Sequence, residues 1–560
     1  MKSSAVLLLL IQALCASAQT LVIDVHEHHF QLDESRGMIV SQIENIGLYS
    51  DLSDYTEVVL SLDSESYTLS TNPTSLLYSE AYVVDRLSDR YTLYFTELPL
   101  VSISTQDTIV DDPKVHANFT YADSIQVLHS DIGIEIRGGF SQTYPKKTYD
   151  LEFWKDSSGT ESENVQFGQM RKDDDWVLDA LYNEPLRLRS HLATDLWLSI
   201  HTPYYLAQEP EAKAGAGTEY VELFLNGAYN GLYDLSEQID RKQLQLASFD
   251  GSMRGELYKG VRWGPSTTFS GVPAYDNNER DWGGYDFKYP KEEDLTDWGP
   301  LYRFNDFVIN SPDDSFIDSV WTKFSYENYL DYFIFLNLLR ATDNTGKNVY
   351  VAKQTTSELY FYAPWDLDGC FGTVWDGTNQ NTTDDILGNG FFDRVIELDP
   401  SNYRITVANK WFDYRNTLLK ESTLLSLFEE QYNYLESNKL YERERLVYPN
   451  YPFDQQAFNY LQNWLRNRVS YLDSYYTGLL TSISTTAPES NTLLYPNPAN
   501  EWIYIDNLDG LLDGHYRIFS LQGKLVSEGE SSNSSIPVGT LRSGQYALIL
   551  GSRTYRFQVN

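Results

Sequence analysis

Short runs of β-prone residues, "TLVIDV", "TEVVLSL" and "YTLYFTEL", alternate with Ser, Asp and Asn turns through the first hundred positions. Such runs predict strands, so residues 19–96 read as a small antiparallel β module. Strand patterns continue from "LPLVSIST" through "DIGIEIRGGFSQTYPKKTYDLEFW". The rhythm then changes. In "PLRLRSHLATDLWLSI", Leu186, Leu188, His191, Leu192 and Leu196 recur at helical spacing, with Pro185 in the first turn, where its missing N–H costs least. "EYVELFLNG" and "YNGLYDLSEQID" follow as two strands, joined at Asn226-Gly227, a pair suited to a tight hairpin turn.

Residues 295–340 turn helical and end in the apolar "YLDYFIFLNLLR". "SELYFYAPWDLDG" reads as a strand running into an acidic turn, and helical patterns dominate from about 385 to 477. The Ser/Thr-rich stretch at 481–490, "TSISTTAPES", is a linker. Beyond it, residues 491–560 carry "LLYPNPANEWIYI", "HYRIFSLQGKLVSEG" and "LRSGQYALIL", short strands punctuated by glycine turns that predict a β-sandwich. The fold class expected is α+β, with no internal repeat.

A chain of 560 residues leaves room for two to four domains at about 100 to 200 residues each. Its first 18 residues, "MKSSAVLLLLIQALCASA", combine Lys2, an apolar run and a small-x-small site at Ala16-Ser17-Ala18, which is the form of a secretory leader. Cys15 raises a lipid-anchor alternative, against which the bulky Leu14 argues. Without the leader Cys370 is the one cysteine, so no intrachain disulfide forms. No later stretch has the roughly 18 unbroken apolar residues of a membrane helix. A net charge of −38 and a pI near 4.4 exclude nucleic acid as a partner, because the cationic surface that phosphates require is missing. Aromatic residues at 14% suit β-rich surfaces and leave sugar binding open.

Candidate chemistry lies in "ATDNTGKNVYV" and "PWDLDGCFG". Asp343 and Asn348 match the Asp-x4-Asn loop with which protein kinases hold a base and a magnesium ligand, and Asp366 or Asp368 matches the metal-binding Asp that follows it. The bland reading of the first stretch is a helix-ending turn, since Asp, Asn and Gly are common there. An EF-hand reading of the second fails, because counting from Asp366 puts Gly377 where a Glu is required. In "VHEHHF", His26 and His28 would share one strand face as a metal pair needs, with no third ligand of clear spacing nearby.

These pieces together resemble the CotH (spore coat protein H-like) kinase family, an atypical branch of the protein kinase-like fold. The resemblance runs over about residues 97–478. It is carried by "RGGFSQTYPKKTYDLEF", "DDDWVLDALYNEPLRLRSHLA", "LFLNGAYNGLYDLSEQID", "DNTGKNVYV" and "PWDLDGCFG". It implies a two-lobed kinase-like domain over 97–480 that uses ATP with Mg, or Mn, to phosphorylate Ser or Thr of a secreted or surface protein. Asp343 would then orient or deprotonate the acceptor hydroxyl. Asn348 and Asp366 would ligate the metal, with Asp368 as the second or alternative ligand. Lys147 would be the phosphate-contacting lysine; adjacent strand residues face opposite ways, so Lys146 would point elsewhere. Glu184 and Asp195 are candidates for its acidic partner, Arg137 with Gly138 and Gly139 for a phosphate-covering turn, and Glu237 for an adenine or ribose contact. Asn183 departs from the aspartate often found in relatives, and Cys370 from a small hydroxyl residue.

The last segment resembles the C-terminal sorting domain of type IX secretion in Bacteroidetes, through "YPNPAN", "YRIFSLQGKLV" and "LRSGQYAL". That implies the type IX machinery as a partner and a secreted or cell-surface destination. A catalytically silent adhesion or scaffold module, and AMP transfer by the same cleft, stay open as alternatives.

Overall fold

The β-prone runs of the first hundred residues pair into one seven-stranded sheet. In Glu57–Leu62 every second side chain is buried, and the inward set, including Ile23, Leu60, Val84 and Leu93, makes the core of the module. The sheet is mixed, not antiparallel as expected. Thr20–Val25 pairs parallel with Glu57–Leu62, and Met38–Gln42 parallel with Asp89–Thr96. Parallel neighbours need a crossover of a dozen or more residues, and the segments between these partners supply it. His26 and His28 do not share a strand face: both follow the end of Thr20–Val25, and His28 turns back at φ +74°. There the His28 ring packs edge-on against His129, 4.4 Å between centroids.

The computed structural model describes residues 19–450, 453, 455–481, 493–506, 515–520, 524–530, 535–550 and 553–560. The leader at 1–18, with Cys15, and the linker apart from Thr481 lie outside the described residues. The described chain is mixed α+β, with nine α-helices and several sheets. It divides into two units, one built from the residues up to 163 with 220–233 and 433–450, the other from 164–219, 234–432 and 451–560.

Beyond the module, the first unit holds a run of strands in the spatial order Thr148–Trp154, Val127–Arg137, Val115–Ala122, Leu100–Ser104, Thr218–Leu225 and Ala228–Glu237, the last two belonging to it from Tyr220 and as far as Tyr233. The last two form the expected hairpin. Asn226 at φ +51° and Gly227 at φ +75° give two left-handed residues in succession, the turn whose twist matches that of the strands. Helix Leu440–Val447 belongs to the same unit and sends two charged side chains into it. Arg443 binds Glu222 through Nε and Nη2 at 2.8 and 2.6 Å, and Glu444 receives Lys146 at 2.7 Å.

The second unit is organised around helix Tyr326–Leu339, buried from Asn328 to Leu339 and largely apolar, with Asn328, Asp331 and Asn337 buried in it on hydrogen-bonding partners. A five-stranded sheet in the order Asp281–Trp282, Tyr285–Tyr289, Glu256–Gly260, Val349–Lys353, Tyr360–Pro364 accompanies it. Helix Arg189–Ile200 begins past Pro185 and Leu188, later than its periodicity predicts. The cause is Glu184, whose carboxylate accepts the backbone N–H groups of Leu186, Leu188 and Arg189 at 2.8, 2.6 and 3.2 Å. These bonds stabilise a tight turn in which Arg187 takes φ +59°, a conformation no helix continues through. Near the C-terminus, strands 493–495, 502–506 and 535–537 form one sheet and 515–520, 525–530, 544–550 and 553–559 another. Ile503, Ile536, Ile518 and Leu548 from the two sheets share a buried cluster.

Helix Arg189–Ile200 is tied to the last residues of Ala228–Glu237 by His191, whose Nδ1 lies 3.0 Å from Asp234 Oδ1. Burial opposes charge on the ring, but Asp234 outweighs it and raises the pKa above the ordinary 6.5. A raised histidine pKa stabilises the fold fully below the unfolded value and loses that contribution as pH rises through the folded one. Asp234→Asn is therefore expected to lower the thermal midpoint most below pH 6.5, with the gap to wild type narrowing toward pH 9. A gap independent of pH in a thermal melt series would show that the contribution of the pair does not come from charge on His191.

Candidate functional site

Strand register brings the two acidic motifs together. Val349 pairs with Pro364 in the antiparallel pair Val349–Lys353 and Tyr360–Pro364, so Asn348 and Trp365 stand opposite at the open end, where Trp365 N–H donates to Asn348 O at 3.0 Å. Both chains then turn left-handed, Asn348 at φ +54° and Asp366 at φ +53°, which Asn and Asp tolerate better than other non-glycine residues. Asn348 Nδ2 donates to Asp366 Oδ2 at 3.0 Å. Asp343 opens the turn between helix Tyr326–Leu339 and this strand and accepts an ion pair from Lys347 at 3.0 Å. Asn344 staples the turn in place: its Nδ2 donates to Asn348 O at 2.7 Å and Trp365 O at 2.9 Å.

Asp368 adds charge to the same cluster. Burial, and then the carboxylate of Asp366, push its carboxyl well above the ordinary carboxylate range, with Asp179 and Asp343 adding to the effect and the Asn183 hydrogen bond opposing it. Asn183 Nδ2 donates to Asp368 Oδ2 at 2.5 Å and to Trp375 O at 2.6 Å. A neutral amide thus stands where a further carboxylate would have deepened the repulsion. Gly377 lets the loop carrying Trp375 close onto Asn183: its φ is +80°, and a Cβ there would overlap the Asn183 carbonyl oxygen. Cys370 is buried, donates to Leu367 O at 2.9 Å, and burial pushes its thiol well above the ordinary value, which keeps it inert.

The remaining sequence-predicted residues are placed as follows. Lys146 and Lys147 precede the strand Thr148–Trp154 in the turn after Pro145, so strand alternation does not govern them. Lys147 Nζ donates to Gln142 O at 2.6 Å and to Tyr144 O. Lys146 is fully buried on Glu444. Among the described residues neither Glu184 nor Asp195 pairs with a lysine: Glu184 binds Arg189 in a buried pair, and Asp195 lies 3.7 Å from His191. Arg137 donates to Asp150 at 3.0 Å, followed by Gly138 at φ +105°. The Glu237 carboxylate is buried and accepts Arg171 N–H, Gly217 N–H and Gln243 Nε2–H at 2.5, 2.7 and 2.7 Å. Sequence reasoning missed Lys347, Asn344 and Asp179. Lys347 had a signal, since it lies one turn after Asp343 in the quoted motif; Asp179 had none, because nothing local links it to Asp368.

The arrangement is oxygen-rich, anionic and short of cations. The carboxylates of Asp366 and Asp368 and the amide oxygen of Asn348 are the hard donors that suit magnesium. Among the described residues, no group of three or more His, Cys, Asp or Glu side chains is arranged to hold a metal ion by itself.

The profile of the CotH kinase protein family matches residues 134–472, more than half of the chain, and the chain belongs to that family. A second profile, the secretion system C-terminal sorting domain, matches residues 493–558. The protein is therefore an exported CotH-family protein addressed to the type IX secretion machinery of a Bacteroidetes-type cell, with a surface or secreted destination. No curated protein matches the chain. No helix among the described residues is long and apolar enough to cross a membrane.

Proposed function

We propose that the protein is an exported atypical protein kinase that transfers the terminal phosphate of Mg-ATP to Ser or Thr of a secreted or surface protein. The observation that carries this reading is the contact of Asn348 with Asp366, 3.0 Å apart, beside Asp343 on the same short turn. Asp343 takes the proton of the acceptor hydroxyl. Asn348 and Asp366, with Asp368, hold magnesium, which when bound offsets charge on the phosphates. In this reading the domain is a two-lobed kinase-like fold and the C-terminal segment a β-sandwich, as family membership and the shared core of its two sheets support. Lys147 and Arg137 contact nucleotide by the same family resemblance. The occupied carboxylate of Glu237 suits holding a nucleotide-contacting backbone in position better than direct contact.

Full-length protein and its Asp366→Ala variant, given Mg, a degenerate serine peptide library and α- or γ-labelled ATP, test the reading. γ-Label on peptide from the wild type alone supports it, and α-label would replace it with nucleotide transfer. No label, with no ATP binding by calorimetry, would leave a silent surface module.

A further inference from the structure

Lys347 has two holders. Its ammonium is 3.0 Å from Asp343 Oδ2 and 5.7 Å from the centre of the Trp263 ring. The lysine side chain is 35% exposed against 11% for Asp343, so the ammonium is the reachable partner of the pair. Trp263 is 54% exposed, yet it is fixed in place. Its indole N–H donates to Thr345 Oγ1 at 3.3 Å. A Cβ on Gly346 would come within 3.3 Å of Trp263 Cδ1, so the ring edge rests on the Asp343 turn. The segment carrying it is anchored on both sides, by Asn348 N–H on Gly260 O at 2.8 Å and by Gly390 N–H on Thr268 O at 2.9 Å. Leaving so large an apolar side chain in water has a use here: its π face attracts the lysine cation.

An ammonium on Asp343 Oδ2 occupies the oxygen a base must offer to a hydroxyl. The ammonium end of this part-buried pair is open to solvent, so it can exchange the carboxylate for another anion arriving there. We infer that Lys347 is a mobile, phosphate-facing cation that leaves Asp343 for the transferring phosphoryl group while Trp263 keeps it over the turn. This rests on the kinase reading above. The move places positive charge where oxygens gain negative charge in the transition state and clears Asp343 for its proton. The bond from the γ-phosphorus to the bridging oxygen breaks, the acceptor oxygen bonds to that phosphorus, the hydroxyl proton passes to Asp343, and ADP leaves with the bonding electrons. Lys347 takes no part in the proton transfer.

The test measures kcat and the KM for ATP in full-length protein, with γ-labelled ATP and the degenerate serine peptide library as probe. Lys347→Ala is expected to lower kcat about 100-fold with KM for ATP changed by less than about threefold. Lys347→Arg should recover most of the rate. Trp263→Ala is expected to fall about tenfold and Trp263→Phe to keep most of the activity, as a cation–π platform requires. Unchanged kcat in Lys347→Ala, or a loss confined to KM, overturns the inference and leaves the kinase reading intact. So does a loss that Arg fails to restore and that comes with a lowered thermal midpoint. A wild type that labels no peptide overturns both.

Discussion

Asp343→Asn is expected to lower γ-phosphoryl transfer about 1000-fold while nucleotide still binds, and Asp366→Ala to lose the Mg-dependent part of nucleotide binding. The two carboxylates lie on opposite arms of one turn-and-hairpin arrangement, and the kinase reading proposed above gives them different work. Asp343 is largely buried in the turn, held by Lys347 at 3.0 Å, and its backbone carbonyl closes the turn onto Lys347 N–H at 2.8 Å. In the proposed reading it receives a proton from a hydroxyl arriving at the turn. Asp366 is exposed and fixed by Asn348, and in the proposed reading these two oxygen-bearing side chains hold one cation. An asparagine at 343 keeps size and hydrogen bonding but accepts no proton. Stopped-flow transfer assays, with calorimetry on the same samples, separate the two signatures. Should Asp343→Asn bind no nucleotide, or Asp366→Ala bind it with unchanged Mg dependence, the division of roles would be wrong.

The residues that meet here were legible because their placement is local. One hairpin register and two short-range motifs decide where Asp343, Asn348 and Asp366 fall, and the turn chemistry of Asp, Asn and Gly is written in the sequence. Helix Tyr326–Leu339 was legible for a similar reason, its apolar-rich run, broken only by Asp331 and Asn337 after Leu330, fitting a core element. What stayed hidden depends on distant partners. Nothing around Glu184 shows that its carboxylate will gather three N–H groups and delay a helix. Nothing around Thr20–Val25 shows that its neighbour is Glu57–Leu62, running parallel. The lysine pair shows the limit most clearly, since the alternation rule presumes a strand that starts only at Thr148, and the acid that fixes Lys146 lies 298 residues away.

Lys146→Met is expected to destabilise the first unit by about 3–5 kcal/mol, because it leaves the Glu444 carboxylate buried without its cation. Both side chains are fully buried. Glu444 Oε1 takes Lys146 Nζ and Leu232 N–H, each at 2.7 Å, while the ammonium also bonds Leu232 O and faces the Tyr233 ring at 4.5 Å. Gly231, at φ +99°, has no Cβ because one would overlap that carboxylate oxygen. A pair held so tightly is costly to break from one side and cheap to replace whole. The double variant Lys146→Met/Glu444→Leu should therefore recover part of the loss, short of about 1–3 kcal/mol for the orphaned Leu232 N–H. Hydrogen exchange of the Ala228–Glu237 amides reads this local stability directly. A loss below about 1 kcal/mol in Lys146→Met would mean that the pair contributes little. The same double variant also bears on chemistry. A fully buried lysine cannot reach a phosphate, whereas Lys147 is only half-buried, so transfer should survive replacement of the Lys146 pair and fall in Lys147→Ala.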